Sequence, residues 1–198
     1  RQVINVALDE LGEGATRDIG KLSSIYGDAE RMGLGKAMLA VGAAINEVSQ
    51  NSTASASYLV DFENRMAGVG KQADMSIPKI MGYASVLDQN AQQVEMSATA
   101  LQGIIMKMYQ DPGKLARIAG IDVKEFARLV REDANEALLQ LLDTLGKAGG
   151  MQALAPMFDE MKLDGSRAAS VLSVLAGNIE SVPVSYTHLR AHETLSDL

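Results

Sequence analysis

The chain has no cysteine and no tryptophan, and only five Tyr and three Phe among 198 residues. Without cysteine there can be no disulfide, no thiolate nucleophile and no cysteine zinc set. Its two histidines, His188 and His192, both stand close to the C-terminal end. Their i, i+4 spacing matches a helical metal-ligand pair, yet the preceding residues then hold no imidazole for general-base catalysis. No apolar run approaches the roughly 20 residues of a membrane span. Clustered Lys and Arg are also lacking, and the formal charge is -7. An acidic chain of this kind argues against nonspecific nucleic-acid binding and against a polybasic membrane anchor. The 18 glycines never form GxGxxG or GxxxxGK[ST], so they punctuate helices and cradle no phosphate.

What is present is Ala, Leu, Ile and 11 Met, the material of an adaptable apolar core. Wherever the periodicity is strong it is helical. Leu34, Ala37, Met38, Val41, Ala44, Ile45 and Val48 share one face, and the polar run Ser49–Ser52 stops the pattern. Tyr58, Leu59, Phe62, Met66 and Val69 form another stripe, which Gly68 and Gly70 are expected to loosen. Upstream, Ile4, Ala7, Leu8 and Leu11 suggest one helix, and Ile19, Leu22, Tyr26 and Ala29 a second after the Gly12–Gly14 break.

Start and stop signals organise the remainder. Ser76 is placed to cap a helix bearing Ile77, Ile80, Met81, Ala84 and Leu87, with Pro78 tolerated in its first turn. Ser97 is expected to cap the next, with Met96 stapled on Leu101. Asp111-Pro112 opens a short helix that Gly120 closes in left-handed conformation. Asp122 with Glu125, and Asp133 with Glu136, have capping-box spacing, the second launching Ala134, Ala137, Leu138, Leu141, Leu142 and Leu145 up to Gly149-Gly150. Asp164 is expected to cap a last helix, with Ala168, Val171, Leu172, Leu175 and Ala176 on one face and Gly177-Asn178 as its stop. No segment alternates with the period of a strand. The expected fold class is all-α, a multi-helix array or bundle of short amphipathic helices without a sheet.

Candidate chemistry is sparse. Asp133, Glu136, Asp159 and Glu160 could form an acid/base pair for glycan cleavage only if two carboxyls met across a cleft; capping and solvation account for them more simply. No catalytic, cofactor-binding or metal residue is assigned. Small-residue faces, Gly42-Ala43-Ala44 and Gly165, Ala168, Ala169 and Gly177, permit close helix approach. Met81, Met96, Met106, Met108, Met151, Met157 and Met161 fall mostly on apolar stripes and are expected in the core.

Residues 184–194 read VSYTHLRAHET, which resembles a translated sequencing adapter whose preceding bases are compatible with Pro183. The expected organisation is a helical unit over residues 1–182 and a non-native, adapter-derived tail over residues 183–198. The tail carries Arg190 against Glu193 and Asp197, so -6 of the charge belongs to the helical unit. Opening at Arg1 inside a helix-like pattern, the chain is expected to be an internal piece of a longer protein.

The wording of three stretches carries a family resemblance: MSIPKIMGYASVLDQNAQQVEMSATALQGIIMKM (Met75 to Met108), GIDVKEF (Gly120 to Phe126) and GGMQALAPMFDEMKLDGSRAASVLSVLAGN (Gly149 to Asn178). Together they resemble the core of phage tail tape measure proteins, over about residues 21–178. The resemblance implies a structural, non-enzymatic scaffold and ruler for tail-tube assembly and tail length, assisting DNA ejection, without a cofactor. Implied partners are the tail tube protein, tail assembly chaperones and further copies of the chain, with host-membrane contact at ejection and no specific nucleic acid. The implied location is the virion tail lumen, and the bacterial host cytoplasm during assembly. Two other classes stay open: a membrane-perturbing helical segment acting at genome delivery, and a peptidoglycan-cleaving enzyme.

Overall fold

The computed structural model describes residues 13–163 and 165–183. These residues form helices and no strand: α1 (Glu13–Ile25), α2 (Asp28–Met32), α3 (Leu34–Asn51), α4 (Ala56–Gln72), α5 (Ile77–Gln89), α6 (Val94–Gln110), α7 (Pro112–Ala119), α8 (Val123–Glu132), α9 (Ala134–Lys147), α10 (Gly150–Glu160) and α11 (Gly165–Gly177). The all-α expectation holds. The segment around Ile4–Leu11, the cap at Asp164 and both histidines lie outside the described residues.

Helix α5 is the axis of the fold. Its residues Ile80 to Leu87 are buried without a break, so the stripe expected from Ile77, Ile80, Met81, Ala84 and Leu87 is only one side of a helix covered all round. The opposite side carries Tyr83, Ser85 and Val86, each at most 2% exposed. A helix with no polar face must be covered on every side, and α3, α4, α6 and α11 supply that cover. Helices α1–α3 pack on one another, on α4 and, through α3, on α5. Beyond α6, α9 is the second organiser, packing against α6, α7, α8 and α11. Its Leu138, Leu141, Leu142 and Leu145 are fully buried, each stabilising the fold by about 1.5–3 kcal/mol relative to exposure.

The local signals mostly act where expected. Asp111 accepts from the Lys114 amide at 2.9 Å, Asp122 from Glu125 at 2.8 Å and Asp133 from Glu136 at 3.1 Å. Only half of each capping box forms: the Glu125 carboxylate pairs with Arg128, and the Asp133 amide donates to the Leu129 carbonyl. Ser76 stands at the N-cap of α5 but makes no side-chain cap bond. Ser97 is no cap: α6 begins at Val94, three residues earlier, and Ser97 is buried within it. The staple expected between Met96 and Leu101 loses its basis with the cap. An unforeseen cap, Ser55, accepts from the Tyr58 amide at 3.2 Å. The polar run ending α3 is absorbed into the helix as far as Asn51, and Gly149 opens α10 after Ala148 has closed α9.

Four helices end in the same way. The amide of Met75 donates to the Gly70 carbonyl, Gln92 to Leu87, Ile121 to Ala116 and Leu163 to Phe158, each with an inner bond from the preceding residue. This six-to-one pattern needs a left-handed residue at the turn. Gly120 supplies it as expected, with φ 74°. At the other three turns Asp74, Ala91 and Lys162 adopt φ of 53°, 57° and 53°, a conformation that costs a residue with a Cβ about 1–2 kcal/mol.

Candidate functional site

The carboxylates that invited a catalytic reading are not gathered. Asp133 is committed to capping α9. Glu136 is exposed one turn further on, and Asp159 and Glu160 are exposed at the far end of α10. Asp133 does line a groove of about 400 Å³, but with Asp74, Lys79, Arg131 and Glu132 rather than with those three. Among the described residues no group of three or more His, Asp or Glu side chains could hold a metal ion.

Helices α6 and α11 border a larger cleft of about 570 Å³. Lys107, Lys162 and Arg167 bring three positive charges to it against Glu95 alone, over an apolar floor that includes Met96, Leu163 and Ala168. In a chain of net negative charge this is a local inversion of sign, suited to an acidic amphipathic segment and not to a cation. Next to the groove around Asp133, with which it shares Gln72, Ala73 and Tyr109, α4 and α6 form an apolar groove of about 240 Å³ around Val69, Ile105, Met106 and Tyr109. The Tyr109 hydroxyl is pushed up from the usual tyrosine value by burial and by the negative charge of Asp74. Met106 and Met151 are 46% and 53% exposed, correcting the expectation that both belong to the core. Met81, Met108 and Met161 are buried as expected.

Close helix approach occurs at Gly146 and Gly70, neither of which the sequence pointed to as a contact. A Cβ on Gly146 would stand 2.5 Å from the Ala176 carbonyl oxygen, where α9 meets α11. A Cβ on Gly70 would collide with Ile80 Cδ1 and the Tyr26 hydroxyl. Gly70 therefore does not loosen α4; its bareness lets α5 and the α1–α2 turn close on that helix. Gly42 and Gly177, by contrast, have open space where a Cβ would go.

Two turns before Gly70 on the same stripe lies Glu63. It is fully buried, and neither carboxylate oxygen has a hydrogen-bond partner. Burial alone holds its carboxyl well above the usual carboxylate range, because removing a charge from water without a compensating partner is costly. Nearby, the Tyr26 hydroxyl donates to the Met75 carbonyl at 3.0 Å, and burial followed by the Glu63 charge raises its proton affinity. A second buried polar pair joins α5 to α9, where the Tyr83 hydroxyl donates to Asn135 Oδ1 at 2.8 Å. Nothing in the apolar stripe of α4 announced Glu63, since a single acidic position beside Phe62 is ordinarily a surface one. No family model, curated protein or solved structure matches this chain, so these faces and buried groups stand beside the sequence resemblance as the ground for a functional reading.

Proposed function

We propose that this chain is a helical segment of a phage tail tape measure protein, acting as a structural scaffold for tail-tube assembly and in setting tail length. The observation that carries the reading is the wording of residues 96–126, which resembles that family and falls on α6, α7 and the start of α8. Exposed Met106 and Tyr109 occupy this stretch, alongside the basic cleft, and offer contact surface to tube subunits, chaperones or further copies. The chemistry is supportive in kind: surfaces for packing are plentiful, and the candidate acid/base carboxylates are dispersed. A membrane-perturbing role has less behind it, since among the described residues no helix is long and apolar enough to cross a membrane.

A ruler made of one continuous helix would advance about 1.5 Å per residue. Here the longest described helix is the 18 residues of α3, and the helices fold back on one another. In this state the segment contributes far less length than a continuous helix of the same residues, about 260 Å for residues 13–183. Deleting those residues in frame from the parent gene and measuring tails by electron microscopy tests both points. Shortening by much less than that span is expected. Tails of unchanged length, assembled normally, would defeat the proposal.

A further inference from the structure

The unpartnered Glu63 carboxyl sits where two parts of the fold meet. Helices α1–α3 reach the remainder substantially only through α4 and α5. The connection from α3 to α4 is the short segment Ser52–Ser55, whose last residue is tied to α5 by the Ser55 amide donating to Asp88 at 2.7 Å. Past that tie, contact between the two parts includes the buried face of α4, on which Glu63, Met66, Ala67 and Gly70 all lie. At Gly70 the α1–α2 turn closes on this face through Tyr26. We propose that α1–α3 form a cover hinged at Ser52–Ser55, shut over α4 while Glu63 carries its proton and lifted when it ionises.

The charges around this face offer no alternative trigger. Asp18 and Lys21 on α1 pair with each other at 3.9 Å, and Asp61 and Arg65 on α4 pair at 2.9 Å. Burial is the sole cause of the raised proton affinity of Glu63, so neither those groups nor Lys36 and Glu47 on α3, Lys79 and Asp88 on α5, or Glu95 and Lys107 on α6 contribute to it. Tyr26 feels Glu63 and stays protonated throughout, because its own proton affinity is raised. An ionised Glu63 has two routes to relief: the whole fold melts, or the part that covers it moves away and admits water. The second breaks fewer contacts, since α6–α11 pack among themselves independently of α1–α3. Lifting the cover would bare the apolar stripe of Leu59, Met66 and Ala67.

Because the chain has no cysteine, two spin labels can be placed cleanly at the exposed positions Lys36→Cys on α3 and Lys124→Cys on α8. Distance distributions between them are measured from about pH 6 to about pH 9. A predominantly short distance at the acid end is expected, with a longer one growing from roughly a tenth to roughly half of the molecules as pH rises, while helical circular dichroism is kept. Glu63→Gln, and Glu63→Met as a second neutral variant, should hold the short distance throughout. The inference is overturned if the wild-type distance never changes, if the neutral variants open in the same way, or if opening coincides with loss of the helical signal.

Discussion

Glu63 and Asn135 are both polar, both buried and both set in helix faces otherwise made of apolar side chains, yet they act in opposite directions. Asn135 at the head of α9 receives the Tyr83 hydroxyl from α5 at 2.8 Å, so the central helix and the second organiser are joined in one register. Glu63 receives nothing and must keep its proton to stay where it is. Sequestering a polar group is tolerable when a partner replaces water, and destabilising when none does.

The contrast can be sharpened by substitution. The largest effect is expected from Glu63→Met, which should raise stability at neutral pH by about 2–4 kcal/mol, as read from urea unfolding. Its pH dependence carries the sign. In the wild type the folded-state proton affinity of Glu63 is raised, so its penalty is least below the unfolded carboxyl pKa of about 4.3. Stability then falls as pH climbs through the interval up to the folded value, by up to about 1.4 kcal/mol per pH unit. The Met variant should lack that slope, and parallel slopes for the two proteins would show that Glu63 does not set it.

On the satisfied side, Asn135→Leu removes the acceptor of the Tyr83 hydroxyl and should cost about 1–3 kcal/mol. Adding Tyr83→Phe should recover part of that loss, and strict additivity in the double-mutant cycle would mean the two side chains are not coupled. Comparable in size, Gly146→Ala should destabilise by about 1–3 kcal/mol. It should exceed the effect of Gly70→Ala, because the obstacle at 146 is backbone and those at 70 are side-chain ends. The smallest change expected is a gain of about 1 kcal/mol from Ala91→Gly, which relieves the left-handed strain at φ 57°; a thermal melt checks it.

How much of this was legible in the sequence depended on whether the cause was local. Asp111, Asp122 and Asp133 could be read as caps because a cap bonds an amide three residues away and needs no other helix. The same holds for Gly120. Ser97 misled because serine looks alike at a cap and inside a buried helix, where its hydroxyl hydrogen-bonds at 3.2 Å with that of Tyr58 from 39 residues away. For α5 the periodicity revealed one face and concealed the other, since Tyr83, Ser85 and Val86 say nothing by themselves about a fourth helix lying over them. Gly70, Gly146 and Glu63 were unreadable for the same reason. What matters about each is the neighbour that arrives from elsewhere in the chain. The carboxylates Asp133, Glu136, Asp159 and Glu160 were explained by capping and solvation on the same local logic, and Asp133 does cap α9 while all four are exposed; that they are also dispersed was not legible.

The all-round burial of α5 also has a consequence in time. A ribosome delivers residues in order at about 5–20 per second, and α11, one of the four helices that cover α5, is made about eighty residues after it. For roughly 4–16 s a helix whose middle is buried on every side in the finished fold therefore waits with one side open, at the concentrations of a crowded cell. A nascent chain with this order of helices has a built-in interval of vulnerability, during which a protein that holds exposed helices would decide between folding and aggregation.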